Sequence, residues 1–417
     1  MKIIADFHVH SKYSRATSKD MEIETMGEWA DLKGINLLGT GDFTHPAYFH
    51  QLKSKLEPEG NGLFRLREKN LKVRFILTVE LSNIYSQDKK VRRIHNLVFA
   101  PSLEVAAKIN SKLEKLGKLA SDGRPIFGFS AKELLKIILD ISEECFIVPA
   151  HAWTPWFSIF GANSGFDSIE ECFGDGAKNI FSIETGLSSD PAMNWRLSKL
   201  DRITLISNSD AHSPKKLGRE ANVFDCDPSY REMVRILREK DKKKFLYTIE
   251  FFPEEGKYHY DGHRNCKVLF SPFETKKNKY ICPECKGKLT VGVTHRVELL
   301  ADREAGFVPE KTIPYKSIIP LQEIISEGLR VGVESIAVQN EYKRIVSAGG
   351  SEFNVLLELE KENLKKIAPS KIVEGIMNVR EGKIKIIPGY DGVFGKINIF
   401  GDEEKDKEKH EGQMSLF

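Results

Sequence analysis

Short runs of β-branched and large apolar residues recur through the first half of the chain, at 2–7, 35–41, 73–81, 94–100, 145–150, 179–184 and 203–209, each closed by Gly, Pro or a polar side chain. Runs of that length and composition predict strands. Between several of them the apolar positions return at helical spacing, around 24–34 and 103–117. Strand–helix alternation predicts an α/β fold with a parallel sheet, open or closed into a barrel. The alternation stops near residue 225. Beyond it the pattern predicts a helix over 229–240, a strand over 245–252, a Cys/His-rich segment, and amphipathic helices around 320–348 and 362–381. KIKIIPG and GVFGKINIF predict a strand pair at the end of that region.

The expected organisation is therefore a barrel-type domain over 1–225, a linker over 226–256, a metal-binding module over 257–295, a mainly helical domain over 296–400 and a disordered, highly charged tail over 401–417. A length of 417 residues has room for that many units. With 41% hydrophobic and 29% charged residues the composition is globular, and the abundant Lys and Glu with few Gln resemble a thermophile's usage. A net charge of +3 neither demands nor excludes a nucleic-acid partner, because a basic face can hide inside that average. No apolar run approaches the length of a membrane span, and MKIIADFHVH puts acid and histidine where the apolar core of a signal peptide belongs. The expectation is a cytoplasmic protein with no membrane partner.

Polar residues stand at the C-terminal ends of the predicted strands. His8 and His10 follow the first, Asp42 the second, Glu80 ends the third, His151 follows the fifth, and Asp210 and His212 follow the seventh, with His95 on the fourth. In β/α barrels that rim is where catalytic groups converge. Residues two apart on a strand share a face, so His8 with His10, and Asp210 with His212, can each offer two donors to one divalent ion. Five of the eleven histidines occupy these places, which chance explains poorly. Mixed imidazole and carboxylate donors suit Zn²⁺, Mn²⁺ or Fe²⁺ better than Mg²⁺ alone. Neighbouring ions lower the pKa of a water and stabilise a leaving oxygen. With no phosphate-binding glycine loop and no nucleophile elbow in the chain, metal-activated hydrolysis is the economical mechanism.

A second metal signal is separate. His263-x2-Cys266 and Cys282-x2-Cys285, fifteen residues apart, have the spacing of a tetrahedral zinc site, with His259 as an alternative fourth ligand. A closed, sulfur-rich site is structural and supplies folding free energy to a segment with little core. The isolated Cys145, Cys172 and Cys226 read as buried thiols.

Trp153, Trp156, Phe157 and Phe160 follow His151 closely, with Gly161 and Gly165 behind them. Such a loop beside a metal site can stack on a base, at about 1–3 kcal/mol per base, or it can simply be core. Lys215, with Lys216, Lys89, Lys90, Arg92, Arg93 and Lys242 to Lys244, can contact phosphates or can be solvated charge. Asn194 and Ser189 are candidates to read a base carbonyl.

The HxH, the acidic strand end, the lone His151 and the late DxH together resemble the polymerase-and-histidinol-phosphatase (PHP) family. That resemblance implies a distorted β/α barrel with two or three metal ions at one rim, held by His8, His10, Glu80, His95, His151, Asp210 and His212. The family's second motif ends in Asp-His, whereas here it reads GTGDFTH with Phe43 in the histidine's place, so either Asp42 ligates or His45 reaches back. Asp20 matches a further family position loosely. DFHVHSKYSRATSKDM, VPAHAWTPWFSIFGANSGF, IETGLSSDPAMNWR and SNSDAHSPKKLGREAN resemble one branch, the endonuclease Q family, over nearly the whole chain. The resemblance implies nicking of DNA on the 5′ side of deaminated bases (hypoxanthine, uracil, xanthine) and abasic sites, with divalent metals (Zn, Mn or Mg) at the barrel, one structural Zn, and damaged DNA as partner. Gln413, Leu416 and Phe417 resemble a short sliding-clamp-binding motif. A PHP-type small-molecule phosphatase and a non-catalytic DNA- or clamp-binding protein remain as alternatives.

Overall fold

The computed structural model describes residues 1–401. Its main sheet is assembled from β1 (Lys2–Asp6), β2 (Leu37–Gly39), β3 (Arg74–Gln87), β4 (Lys90–Ala100) and β5 (Phe146–Pro149), with β6 (Ser182–Glu184) and β7 (Thr204–Ile206) as a separate parallel pair, and β8 (Ala221–Asp225) and β9 (Phe245–Glu250) beyond β1. Bridging contacts draw the pair into an irregular ring: Ala152 N–H donates to the Glu184 carbonyl at 2.9 Å beside β5, and Val9 bridges Ala211 just after β7. The result is a distorted β/α barrel.

The sheet is mixed rather than parallel. β1, β2 and β3 run parallel, but β3 and β4 form a long antiparallel hairpin from Leu77↔Ala100 to Gln87↔Lys90, and β8 is antiparallel to β1. The hairpin turns on Asp88 and Lys89, both left-handed (φ 54° and 61°), a backbone that matches strand twist in a two-residue turn. Lys89 and Lys90 thus belong to the hairpin end. Glu80 consequently sits inside a strand rather than at its end, as does His95.

Alternation along β1 sorts its side chains between two apolar cores. Ile3, Ala5 and Phe7 pack with Ile76, Leu97 and Phe146 in an inner core, which the helix Tyr230–Glu239 closes with Met233, Ile236 and Leu237. Ile4 belongs to the outer core, where the helix Ala131–Ile141 buries Ala131, Leu134, Leu135 and Ile138 at helical spacing.

The predicted linker is not one. Residues 230–239 cap the barrel and β9 extends its sheet, pairing antiparallel with β8. The chain leaves the sheet after Glu250, builds the hairpin Asp261–His263/Val268–Phe270 and the helix Val293–Leu300, and returns at Tyr315–Ser317 to pair parallel with β9, Glu250 opposite Ser317. Helices Leu321–Leu329, Ile336–Gly349, Lys361–Ile367 and Ser370–Arg380 follow, then the expected strand pair Lys385–Ile387/Lys396–Asn398. The helices share the outer core with the barrel. A buried ion pair reinforces the join: Lys33 Nζ lies 2.8 Å from Glu352, which also accepts from the Tyr342 hydroxyl (2.7 Å) and the Leu321 amide (2.9 Å). Among the described residues no helix is long and apolar enough to cross a membrane. The tail motif Gln413, Leu416 and Phe417 lies outside the described residues.

Candidate active site

Glu80 is the centre of the site. Its carboxylate is fully buried and faces two groups of donors at once. Oε2 lies 3.3 Å from His10 Nε2 and 3.6 Å from His8 Nε2, both of which also face Asp210 Oδ1, at 3.0 and 3.6 Å. Oε1 lies 2.6 Å from His95 Nδ1 and 3.0 Å from His151 Nε2, themselves 3.3 Å apart. Within each group the donor atoms all lie within 4.8 Å of one another. One carboxylate spanning two such clusters has the arrangement of a bridge between two metal ions.

The donor set fits a divalent cation. His8 Nε2, His10 Nε2 and Asp210 Oδ1 are buried without a hydrogen-bond partner. Buried polar atoms are ordinarily paired, and three orphans converging on one point are what a cation would satisfy. The nitrogen and oxygen donors suit Zn²⁺ or Mn²⁺.

The backbone is bent to present these groups. Asp42, His151 and Asp210 all adopt positive φ (46°, 31° and 46°), sparsely populated for such residues and concentrated at functional sites. Beside His151, a Cβ on Gly186 would fall 2.6 Å from the His151 Cβ, so only glycine fits there.

The charges reinforce each other. Burial pushes the His8 imidazole down, but Glu184, Glu80 and Asp210 overcome it and raise its pKa well above the usual value. His10 is likewise raised against burial, by Asp210 and Asp42. Burial would raise Glu80, yet His95, Arg124 and His8 hold it well below the carboxylate range. His95 goes the other way: burial takes it down to about 4, with Glu80 only partly opposing.

Glu184, at the end of β6, was not anticipated. Its carboxylate lies 3.0 Å from His8 Nδ1 and accepts from the His151 amide and the Asn208 side chain, each at 2.8 Å. Facing a carboxylate, Nδ1 would keep its proton when a metal binds, and Nε2 would give up its own to become the ligand. Its place at a strand end, like that of other rim residues, was the available signal.

Several expected residues have other places. The Asp42 carboxylate lies behind His10, 3.1 Å from Nδ1, and accepts from the Ser11 amide and hydroxyl and from Ser14, so it orients a donor and is not in either cluster. His45 stacks on Tyr13 instead, and Phe43 is core. His212 is outside the clusters too: Nδ1 is tied to the Asp210 carbonyl at 2.8 Å and the ring packs 4.5 Å from that of His10. Trp153, Phe160 and Asn194 are corrected as base contacts. All three are buried, the rings 4.9 Å apart, with Trp153 Nε1 donating to Asn194 at 2.8 Å. Ser189 is buried with them. Lys215 is half-buried and ion-paired with Glu334.

Trp156 and Phe157 do face open space. With Arg15, Asp122, Arg124, His95, His151 and Asp210 they line a cavity of about 420 Å³. Trp156 is 42% exposed and meets Tyr258 edge-on at 5.9 Å, while the Phe157 ring packs 4.7 Å from His95. At the second cluster His263, Cys266, Cys282 and Cys285 converge within 4.8 Å, and His259 lies elsewhere, stacked on Tyr260. Lys267 and Lys286, just after Cys266 and Cys285, are left-handed (φ 55° and 62°), turning the chain back after each Cys-bearing segment. Backbone amides and His263 bring the Cys282 thiol down to about 7 despite burial, which favours the thiolate that zinc requires.

The chain is 31% identical to the lesion-specific endonuclease PfuEndoQ of Pyrococcus furiosus, over 98% of this chain and 99% of that one, and the structures superpose with a TM-score of 0.85. The chain belongs to the endonuclease Q family. A second endonuclease Q structure, in complex with a 27-mer duplex carrying an abasic lesion at the active site, is 32% identical over 97% of this chain and all of that one, with a TM-score of 0.83. Residues 320–383 match the family model described as the MJ0043 C-terminal domain. The uncharacterized protein MJ0043 of Methanocaldococcus jannaschii is 34% identical over 257 residues, 60% of this chain, which spans only 31% of that longer relative. The uncharacterized protein YqxK of Bacillus subtilis is 29% identical over 95% of this chain and 99% of its own length.

Proposed function

We propose that this endonuclease Q homologue is a DNA repair endonuclease that hydrolyses the phosphodiester on the 5′ side of a deaminated base or an abasic site. The observation that carries this reading is the bridging position of Glu80 beside an open cavity. His8, His10, Glu80 and Asp210 would hold one metal, and Glu80, His95 and His151 the other. The ions would supply Lewis-acid activation of water and of the phosphate. Around them Glu184 and Asp42 fix the two imidazoles of His8 and His10 from behind. Trp156 and Phe157 offer apolar faces where an extruded nucleotide can be received, offsetting part of an unstacking cost of a few kcal/mol. The zinc module braces the neighbouring surface through Tyr258. The tail motif at Gln413, Leu416 and Phe417 supports a sliding clamp as a further partner, on sequence alone.

The test is cleavage of end-labelled duplexes carrying deoxyinosine, deoxyuridine, an abasic site or no lesion, in Mg²⁺ and Mn²⁺. A nick immediately 5′ of the lesion is expected from wild type and not from His8→Ala or Asp210→Asn. Equal cutting of undamaged DNA, or no cutting in either metal, overturns the reading.

A further inference from the structure

The cavity beside Glu80 is lined by two guanidinium groups of different character. Arg15 has a side chain 76% exposed, whereas that of Arg124 is 24% exposed. Asp122 braces both: its Oδ1 accepts from the Arg124 amide at 3.1 Å and from the Arg15 amide at 3.3 Å, and its Oδ2 lies 3.3 Å from Arg15 Nε. The intervening Gly123 is pressed inward. A Cβ there would fall 2.4 Å from both Asp42 Oδ2 and Ser14 Oγ, the groups behind His10. The backbone of Arg124 is thus held from two sides, and its Nη1 reaches 3.0 Å from Glu80 Oε2.

One N–H of Arg124 is engaged with Glu80, and a guanidinium has five, in a rigid fork matched to phosphate. A guanidinium stays charged throughout the range in which proteins work, so this group passes no proton. Cations held by Glu80 would share its charge, and the remaining N–H groups of Arg124 would then be available to a further anion. A phosphodiester carries one negative charge at rest and gains more as water attacks.

We propose that Arg124 is a catalytic residue, donating hydrogen bonds to a non-bridging oxygen of the scissile phosphate in the transition state. In the step it serves, the water oxygen forms a bond to phosphorus while the P–O3′ bond breaks. One proton of the attacking water passes to bulk solvent, and the departing O3′ takes one up from solvent. The ends are a 3′-hydroxyl and a 5′-phosphate. Arg124 takes neither proton and stabilises the charge on the equatorial oxygens.

This inference rests on the endonuclease reading, and the experiment separates the two. Single-turnover cleavage of a deoxyinosine duplex is measured for wild type, Arg124→Ala and Arg124→Lys, alongside manganese content per chain and duplex affinity in Ca²⁺. Arg124→Ala is expected to slow the chemical step by about 100-fold or more, while affinity shifts by no more than about threefold. Metal content stays at the wild-type value. Guanidinium chloride below denaturing concentration restores part of the Arg124→Ala rate, and sodium chloride at equal ionic strength does not. Arg124→Lys, which keeps the charge but loses the fork, falls between. A wild-type rate in Arg124→Ala overturns the proposal. So does a slow variant that has lost manganese or ignores guanidinium, because Arg124 would then serve only to hold Glu80. A wild type that cuts no lesion duplex sinks the endonuclease reading itself.

Discussion

Glu184 holds His8 from behind: the carboxylate sits 3.0 Å from Nδ1, and the opposite nitrogen, Nε2, faces Glu80 and Asp210. Carboxylates in this position fix the tautomer of a ligating imidazole and raise its basicity. Glu184→Gln keeps the shape and removes the charge, so Mn²⁺ affinity should drop by about 10–100-fold in a calorimetric titration. An unchanged affinity would mean that packing alone orients His8.

Glu80 and His95 should differ in what they release. Glu80 touches both donor clusters and His95 only one. After identical dialysis, the metal-to-protein ratio by plasma mass spectrometry should fall further in Glu80→Gln than in His95→Ala. Equal losses would show that Glu80 serves a single ion.

A pair of acids away from the donor clusters sets a pH dependence of stability. Glu220 and Glu250 are completely buried, each with one oxygen unpartnered. Burial pushes Glu250 up to about 8 and, together with the charge of Glu250, pushes Glu220 well above its usual value. The unfolded chain releases these protons near its ordinary carboxyl pKa of 4.5, while the fold keeps them. Between those limits the unfolded state binds fewer protons, so the stability these two groups contribute is fully present below pH 4.5 and is lost as the pH rises towards 8. Glu250→Gln carries no charge at any pH. Relative to wild type, its unfolding free energy in urea should therefore gain steadily from pH 5 to 8, on the order of a few kcal/mol in all. A constant difference across that range would contradict the assignment.

The Lys33–Glu352 pair joins the barrel's first helix to the C-terminal helices, and both side chains are about 3% exposed. Removing one partner strands a buried charge. Glu352→Ala should lose about 3–5 kcal/mol, whereas Lys33→Met with Glu352→Gln, which removes both charges yet keeps a hydrogen-bonding amide for the Leu321 N–H and the Tyr342 hydroxyl, should recover most of it. Urea midpoints at pH 7 decide this, and a mild effect of Glu352→Ala would mean that water reaches the lysine.

The parts of this site that were legible in the sequence are those written at short range. His8 with His10, and Asp210, reveal themselves because neighbouring residues at a strand end must share a rim. Direction is not written there. Asp42 stands in the same kind of place, yet its carboxylate turns behind His10 because the left-handed backbone at 42 aims it at the Ser11 amide. The aromatic loop shows the same limit. Trp153 and Trp156 are alike in type and three residues apart, and only the packing against Asn194 and Phe160 makes the first core and leaves the second open. The β3–β4 hairpin departs from the parallel pattern, and period and composition do not distinguish a returning strand; its turn residues Asp88–Lys89 lack the glycine that would announce it. Glu352 and Lys33 lie far apart in sequence, and neither charge betrays a buried partner.

The departure of the chain at Glu250 and its return at Tyr315 has an architectural consequence. Both ends of this excursion stand side by side in adjacent parallel strands, so the zinc hairpin is carried on a crossover of the sheet itself. Because the two strands run parallel, the chain must cross back to the start of the second, a connection of about a dozen residues or more, so the excursion cannot be trimmed to a tight turn. The surface that Tyr258 shares with Trp156 is locked to the barrel, because Arg296 of the same excursion donates to the Phe160 and Phe166 carbonyls at 2.9 and 3.0 Å, and the chain end closes over it where the Gly389 amide meets the Glu254 carbonyl.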